Sequence, residues 1–568
     1  MNFNNKYFIL ILLIINIFFN YYDFKLDLTS DNKNTLSPSS IEVLNKLNDQ
    51  LTIKVYLKGN LPSGFELLAY STKNLLNSFN KENPNIKFEF INPDNKDYNN
   101  DNLSLFQQLQ DQGLYPTDLK IKNNSETISK IIFPGAIIYY KEKRISLNFL
   151  ENSIGVSPQI NINNSIEKLE FNFISMIYKL INTKKPNIAF LKGNGELSHL
   201  QTKDITNSIN EDNNDLSFYF NVDTFNLKQF QIDSSNNINL NLQLDKLKYF
   251  DALIVAKPTI AFNNIDKFLI DQYIMNGGKI LWLIDMVDAS INKIRENNEF
   301  FIANKMKLNL EDQFFKYGVR INSNLIEDKR STEIPIVTGY SNNKPIQEFY
   351  KWPYFPLLFS KSDHPISKNL DAIKCDFISS IDTINNNLNK TILLTSSANS
   401  RVLPSPVKVS LSIIQNPPPI ETYNIKNIPV SVLVEGKFES VFNNRIVPKN
   451  QNIKIIKNSS DNKMIFISDG DIIANKFSNN SIYPLGYDNF INFTYEGNKK
   501  FIINCMQYLC DNNGLVNLKS KDLKLRLLDK NKMYKNYMLI LFLNLISPIL
   551  IMFFSLQAFK YFNKRYYV

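Results

Sequence analysis

An uncharged run of 23 residues near the C terminus, 537–559, most constrains what this chain can fold into. At a rise of about 1.5 Å per residue, a helix of this length crosses the hydrocarbon core of a bilayer. Pro548 is tolerated there, because neighbouring groups in a membrane satisfy the carbonyl that it frees. Basic residues follow at once, namely Lys560, Lys564 and Arg565. The positive-inside rule therefore predicts a transmembrane helix at 537–559 and a cytoplasmic tail at 560–568.

A second apolar run lies at the N terminus. Residues 7–22 contain only Asn16 and Asn20 as clearly polar breaks, and a helix of that length spans about 24 Å, short of a full bilayer core. A cleaved signal peptide is the alternative, but the run ends in bulky aromatic residues and no small-residue cleavage site follows it. We predict an uncleaved anchor at 1–26, both termini in the cytoplasm, and a large periplasmic region between the two anchors.

Residues 27–160 are predicted to form a first periplasmic domain. Ser37 and Pro38 suit the N-cap and the first position of a helix. The elements that follow are strands at 51–57 and 86–91, a helix after each strand, and a hairpin at 133–149. This order resembles a thioredoxin-like fold.

The thioredoxin-like domain lacks the Cys-x-x-Cys motif, since 61–64 reads Leu-Pro-Ser-Gly. Without a reactive thiolate, dithiol chemistry is excluded. A connecting helix is predicted at 161–185, where apolar residues recur at helical spacing.

A larger α/β domain is predicted at 186–510. Its clearest unit is a strand at 250–256, a helix at 264–275 closed by two glycines, and a strand at 279–284. Such a βαβ unit joins parallel strands with the helix on one face of the sheet. Later strands at 391–394, 429–434 and 464–468 are expected to continue the parallel sheet. A basic juxtamembrane segment, 511–536, follows and is suited to a partner surface or to anionic headgroups of the inner-membrane lipid.

The candidate ligand loop is Asp469, Gly470 and Asp471, which follows a predicted strand. Ligands of α/β folds bind at this edge of the sheet, and two carboxylates there suit a hard cation. The alternative is a tight turn in which Asp471 caps the next helix. A second glycine loop, 192–196, matches no phosphate-binding pattern and is predicted to be a turn.

Composition leaves little material for catalysis. The chain has 2 His and 3 Cys, and a mild net charge of +10 for its length. It has no phosphate-binding Walker motif and no Gly-x-Ser-x-Gly elbow. We therefore expect no catalytic residues, no metal ligands, no cofactor and no nucleic-acid partner, and we expect the protein not to be an enzyme.

Several short motifs occur in an order that resembles a known family. They are Asp-Leu-Thr-Ser-Asp at 27–31, Val-Tyr-Leu-Lys-Gly at 55–59, Ile-Ser-Asp-Gly-Asp-Ile at 467–472 and Leu-Lys-Leu-Arg-Leu-Leu at 523–528. The chain is similar to the GldG family of gliding-motility-associated ABC transporter auxiliary proteins of Bacteroidetes. The resemblance implies an accessory or substrate-binding subunit that works with a separate ATPase and a multi-spanning permease. It supplies no catalytic residues.

Three functions stay open at this point. The first is a membrane-anchored periplasmic accessory subunit of an ABC transporter, for gliding or envelope export. The second is a cell-envelope module that binds glycan or peptide through residues 27–160. The third is a hydrolase-like enzyme that uses Asp469 and Asp471.

Overall fold

The computed structural model describes residues 35–93, 102–122, 127–150, 157–182, 184–209, 215–230, 239–297, 300–360, 362–368, 370–445, 455–478, 481–511 and 536–566. The predicted anchor at 1–26 lies outside the described residues, as does most of the predicted juxtamembrane segment. The chain divides into two compact units. One is the body, Asn34–Lys521, and the other contains the C-terminal helix.

The body alternates helices and strands along most of its length. Its helices are α1 (Pro38–Asn45), α2 (Ser63–Glu82), α3 (Asn102–Asp111), α4 (Pro158–Ile181), α5 (Lys203–Thr206), α6 (Leu216–Tyr219), α7 (Leu240–Leu247), α8 (Asn264–Met275), α9 (Ile291–Asn297), α10 (Glu311–Lys316), α11 (Ser412–Gln415) and α12 (Glu496–Cys510). The strands of its first part are β1 (Leu51–Val55), β2 (Ile86–Phe90), β3 (Thr117–Lys122), β4 (Thr127–Ile132), β5 (Gly135–Tyr140) and β6 (Lys143–Asn148).

The larger part of the body holds the remaining strands. They are β7 (Asn187–Lys192), β8 (Asn221–Asn226), β9 (Ala252–Ala256), β10 (Lys279–Leu283), β11 (Val287–Asp288), β12 (Phe300–Lys305), β13 (Val319–Ile321), β14 (Asn324–Asp328), β15 (Ser331–Ser341), β16 (Lys344–Leu358), β17 (Ile373–Lys374), β18 (Ile381–Thr383), β19 (Asn389–Thr395), β20 (Ser400–Pro404), β21 (Val407–Ser410), β22 (Pro429–Glu439), β23 (Asn458–Ile467), β24 (Phe477–Ser478), β25 (Ser481–Ile482), β26 (Tyr487–Asp488) and β27 (Phe493–Thr494).

The first part is built on a four-stranded sheet of order β2-β1-β5-β6. Strand β1 runs parallel to β2 and antiparallel to β5, and β5 and β6 form the predicted hairpin. The predicted cap is confirmed, because the Ser37 hydroxyl accepts the Ser40 N–H at 3.1 Å and Pro38 begins α1. The hairpin of β3 and β4 was not predicted from the sequence pattern.

Helix α4 packs its apolar stripe into the core of this first part. The stripe residues Ile166, Leu169, Phe173, Ile174 and Ile177 are buried as predicted. The helix spans Pro158–Ile181 rather than the predicted 161–185. It starts three residues earlier than predicted because Ser157 and Pro158 suit the N-cap and the first helical position. It leads directly into the larger α/β part.

A seven-stranded sheet of order β19-β22-β23-β10-β9-β7-β8 forms the centre of the larger part. Side chains of β9 alternate between its two faces, with Leu253 and Val255 in one core and Ala252 and Ile254 in the other. The predicted βαβ unit is confirmed as β9, α8 and β10. Asn263 and Asp266 form a capping box at the start of α8.

The prediction of a wholly parallel sheet was wrong. Strands β8, β7, β9, β10 and β23 are parallel neighbours, but β22 runs antiparallel to both β23 and β19. Strands β22 and β23 are consecutive in the chain as well as neighbours in the sheet. Antiparallel pairing lets two such strands join without a crossover helix, which a parallel pair requires.

A long ribbon of β15 and β16 lies between the sheet strands β10 and β19 in the sequence. The two strands pair across a turn at Asn342 and Asn343, whose φ angles are 48° and 58°. Those left-handed angles are what a tight hairpin turn requires, and asparagine tolerates them. The outer half of the ribbon is exposed on both faces, and the βαβ pattern does not predict it.

The C-terminal unit contains helix α13 (Tyr537–Tyr566). Its segment Tyr537–Gln557 is long and apolar enough to cross a membrane, with a mean hydropathy of 2.5 and its side chains exposed. Among the residues that the structure describes, this is the one candidate membrane span.

Candidate functional site

The candidate ligand loop lies where three parallel strands end side by side. Lys257 directly follows β9, Asp285 lies two residues beyond β10, and Asp469 two residues beyond β23. Because these strands are neighbours, their carboxyl ends bring the three charges to one edge of the sheet.

The Lys257 ammonium lies between two carboxylates of this edge. Its Nζ is 2.5 Å from Asp471 Oδ2 and 3.3 Å from Asp285 Oδ2. Burial by itself would lower the pKa of Lys257, but Asp285 and Asp471 outweigh burial and raise that pKa well above its ordinary value. Lysine therefore stays charged and occupies the position that a cation would take.

Asp285 is raised in pKa although it faces an ammonium group. Burial raises the pKa of its carboxyl to about 6, against the opposing effect of Lys257 and with a further contribution from Asp471. The Lys257 ammonium does not offset the effect of burial fully, because it is shared with the neighbouring carboxylates.

Asp469, rather than Asp471, caps the turn that follows. The Asp469 Oδ1 atom accepts the Asp471 N–H at 2.7 Å and the Ile472 N–H at 3.2 Å. The turn is a short 3-10 helix, Asp471–Ile473. The interpretation in which Asp471 caps it was therefore wrong, because the Asp471 carboxylate faces Lys257. Burial, with Asp285 and Asp471 adding to it, raises the pKa of Asp469 well above its ordinary value.

Gly470 is required by the closeness of two loops. A Cβ atom there would lie 2.6 Å from Lys257 Cβ, which is closer than real Cβ atoms approach, and 3.1 Å from its Cα, which is also tight. The Gly470 N–H donates to Asp285 Oδ1 at 2.5 Å. The glycine thus lets the loop after β23 pack directly on the loop after β9.

A second ion group adjoins the first through β17. Asp376 accepts hydrogen bonds from Lys374 Nζ at 2.6 Å and from Lys476 Nζ at 3.2 Å. Burial would raise the pKa of Asp376, but the two ammonium groups outweigh it and hold that pKa well below its ordinary value. The backbone N–H of Asp376 donates to Asp469 Oδ2 at 3.1 Å, which joins the two groups.

Cys375 lies between the two ion groups as a buried thiol. Burial raises its pKa well above the ordinary value, and the negative charge of Asp469 raises it further. A thiol of this kind is a poor nucleophile, because the thiolate is the reactive form. The geometry therefore gives Cys375 a packing role.

We call these seven charged side chains the edge cluster: Lys257, Asp285, Lys374, Asp376, Asp469, Asp471 and Lys476. The cluster contains four carboxylates and three ammonium groups, and the adjoining cavity has a volume of about 20 Å³. That volume holds about one water molecule. The described residues contain no group of three or more His, Cys, Asp or Glu side chains arranged to hold a metal ion. The arrangement can fix three loops together electrostatically, and the ligand-binding interpretation of 469–471 stays a prediction.

The other residues of interest lie apart from this edge. His199 is exposed, and His364 is half-buried with its ring 4.8 Å from that of Tyr508, where burial lowers its pKa. Cys505 and Cys510 lie in α12 and form no disulfide bond.

The glycine loop at 192–196 forms a turn, as predicted. Its Asn194 N–H donates to Glu196 Oε2 at 2.8 Å, so the loop's own carboxylate takes the position of an anion.

Sequence reasoning identified two members of the edge cluster and missed five. A usable signal existed for Lys257 and Asp285, since each follows a buried apolar strand of the βαβ unit. No comparable signal existed for the other three. Lys374 and Asp376 lie at a short strand that is distant from Asp469 in the sequence, and Lys476 follows Asp471 closely but joins the cluster through its hydrogen bond to Asp376.

Comparisons with known proteins match both parts of the body. Residues 185–505 match the family described as ABC-type uncharacterized transport system, and residues 30–139 match a domain of unknown function, DUF7088. An uncharacterized protein of Borreliella burgdorferi is 24% identical over 456 residues, covering 78% of each chain. The mmIFT52 N-terminal domain aligns with 57% of this chain and 96% of its own, at 13% identity and a TM-score of 0.30.

Proposed function

Because this chain belongs to the family of ABC-type uncharacterized transport systems, we propose that it is a membrane-anchored accessory subunit of an ABC transporter complex. Two observations together support this proposal. More than half of the chain matches the family, and an apolar helix long enough to cross a membrane follows the matched region. The ATPase and the multi-spanning permease of the complex are then separate chains.

The exposed helix supports the membrane anchor. Large apolar side chains such as Leu545, Ile551 and Phe554 are exposed along α13. An exposed apolar surface of this kind is costly in water and is stabilised by lipid or by another membrane helix. A single span of this type anchors a subunit but encloses no transport pathway.

The orientation is part of the proposal. The basic residues after the helix favour a C terminus in the cytoplasm and a body in the periplasm. A second anchor at 1–26 would return the N terminus to the cytoplasm. The assignment of both termini to the cytoplasm is based on the charge and hydropathy of the sequence.

We further propose that the subunit performs no chemistry of its own. Support comes from the edge cluster, whose Asp469 accepts three backbone N–H groups and whose Asp471 is paired with Lys257. Carboxylates held in this way are poorly placed to activate water, which requires a free lone pair within reach of the substrate. The hydrolase-like alternative therefore has little support.

The first part of the body would then serve as a binding module of thioredoxin-like fold. Its sheet order, with β1 and β2 parallel and the β5–β6 hairpin at the other side, supports that assignment. A role in gliding motility or envelope export is the finer form of the proposal and follows from the sequence resemblance alone.

Co-purification tests the accessory role. The tagged full chain, extracted from membranes in a mild detergent, is expected to carry an ABC ATPase and a permease. The matched control is a chain truncated before residue 537, which keeps the body and loses the span. Repeated recovery of the full chain alone, with chemical cross-linking before extraction, would contradict the proposal.

Labelling of single cysteines tests the orientation separately. The described cysteines are buried or half-buried, so their background with a membrane-impermeant maleimide is expected to be low. Ser341→Cys, at the exposed ribbon tip, is expected to react from the periplasmic side, and Lys560→Cys only after lysis. The reverse pattern would refute the orientation and leave the accessory role standing.

A further inference from the structure

A basic cleft lies between the first part of the body and the α/β part. It has a volume of about 580 Å³ and is lined by the end of α3, by β6, by the end of α4 and by α6. We propose that this cleft binds a small organic anion that carries a phosphate or carboxylate group beside an apolar portion. The inference goes beyond the accessory role, and its test uses the purified chain without ATPase or permease.

The charges that line the cleft favour an anion. Its cationic side chains are Lys143, Arg144, Lys179 and Lys185, whereas Asp111 is the acidic side chain among the lining residues. Four cations against one carboxylate give the cleft a net positive charge. A cleft lined mainly by one sign of charge raises the local concentration of ligands of the opposite charge.

Lys179 is a cation of the cleft that is shielded from solvent. It is half-buried on α4 with its ammonium over the ring of Phe218. Among the side chains that the structure describes, no carboxylate forms an ion pair with it. Burial and the neighbouring charge of Lys185 together lower its pKa to about 7, against the opposing effect of Asp215. A buried ammonium group in this state gains more than an exposed one from an incoming anion.

The other side chains complete a site of mixed character. Lys185 is held in place by a hydrogen bond of 2.5 Å from its Nζ to the Ser217 carbonyl. Ile137, Ile145 and Phe218 provide the apolar lining. A volume of this size at the meeting of two folded parts is typical of sites for small molecules rather than for single ions.

Phenyl phosphate combines the two features and is the probe. Binding to the full chain in a neutral detergent is measured by isothermal titration calorimetry at pH 6.5. Inorganic phosphate and phenol test the two halves of the probe, and each is expected to bind more weakly. Lys179→Met is expected to weaken phenyl phosphate binding by about tenfold or more, the usual loss for a charge-assisted hydrogen bond.

Two further variants make the result interpretable. Arg144→Gln changes an exposed residue, so a loss of binding there is not caused by unfolding. Lys463→Met is the matched control, since Lys463 is also partly buried, lies over the ring of Tyr508, has a pKa lowered by burial and is not part of the cleft. It is expected to bind phenyl phosphate within about twofold of wild type.

Three outcomes with the soluble probes would overturn the proposal. They are no binding of phenyl phosphate at about 10 mM, equal binding by Lys179→Met, Arg144→Gln and wild type, and binding of phenol as tight as that of phenyl phosphate. Dioctanoyl phosphatidic acid distinguishes a lipid headgroup from a soluble ligand. If it alone binds, and Lys179→Met abolishes that binding, the cleft recognises a lipid and the proposed small anion is refuted.

Discussion

Replacing Lys257 by methionine removes the central cation of the edge cluster. Asp285 and Asp471, which lie 3.3 Å and 2.5 Å from its ammonium, would lose that partner. Asp471 is about a quarter exposed and can turn toward water, whereas Asp285 is 8% exposed and cannot. Removing one partner from a buried ion pair costs about 3–5 kcal/mol. We therefore expect Lys257→Met to lower the free energy of unfolding by about that amount.

Tryptophan fluorescence during urea unfolding measures this change. The chain has two tryptophans, Trp282 and Trp352, and both are buried in the α/β part, so the signal reports on the part that contains the edge cluster. The control is Lys316→Met, which breaks the exposed pair with Glu439 and should cost less than about 1 kcal/mol.

A double variant tests whether the loss comes from an unpaired charge. Lys257→Met with Asp285→Asn removes both charges and should recover part of the stability that the single lysine variant loses. The reasoning is refuted if Lys257→Met costs no more than Lys316→Met. It is equally refuted if the double variant is as unstable as the sum of the two single variants.

Three other predictions concern pH, packing and proton uptake. The pKa of Asp285 in the folded protein, about 6, lies above its ordinary 3.8, so the stability that its protonated form provides is complete below about pH 4 and is lost as pH rises through 6. Relative to Asp285→Asn, wild type should lose about 2 kcal/mol between pH 4 and 7 in urea unfolding, and a constant difference would contradict this. Gly470→Ala should cost about 1–3 kcal/mol by overpacking against Lys257, whereas Gly339→Ala, whose Cβ would meet nothing closer than 4.0 Å, should be nearly neutral in the same assay. Phenyl phosphate should raise the pKa of Lys179 from about 7, so calorimetry at pH 7.5 in buffers of different ionisation enthalpy should show proton uptake, and identical heats in all buffers would exclude it.

Local patterns predicted the elements that depend on local physics. The N-cap at Ser37, the apolar stripe of α4 and the βαβ unit of β9, α8 and β10 all follow from residues within about 30 positions of one another. Each of these features could be predicted because its signal is local: a helix cap, apolar residues at helical spacing, or the glycine pair that ends the helix after Met275.

The remaining features depend on contacts between residues that are distant in the sequence, so local patterns could not predict them. The direction of β22 depends on which strand it meets, and its own apolar residues are the same for either direction. The edge cluster likewise depends on a long-range contact, because Asp376 donates its backbone N–H to the distant Asp469 and accepts hydrogen bonds from Lys374 and Lys476. The loop at 469–471 was identified, but its lysine partners were not, so its role in joining loops was not predictable from spacing alone.

The most direct test of the proposed accessory role is the ATP hydrolysis rate of the co-purified ATPase and permease in lipid, measured with and without this chain. We predict that adding the full chain changes the rate, that the chain truncated before residue 537 does not, and that the chain alone hydrolyses no ATP. The accessory role would be contradicted if the full chain leaves the hydrolysis rate of its ATPase unchanged.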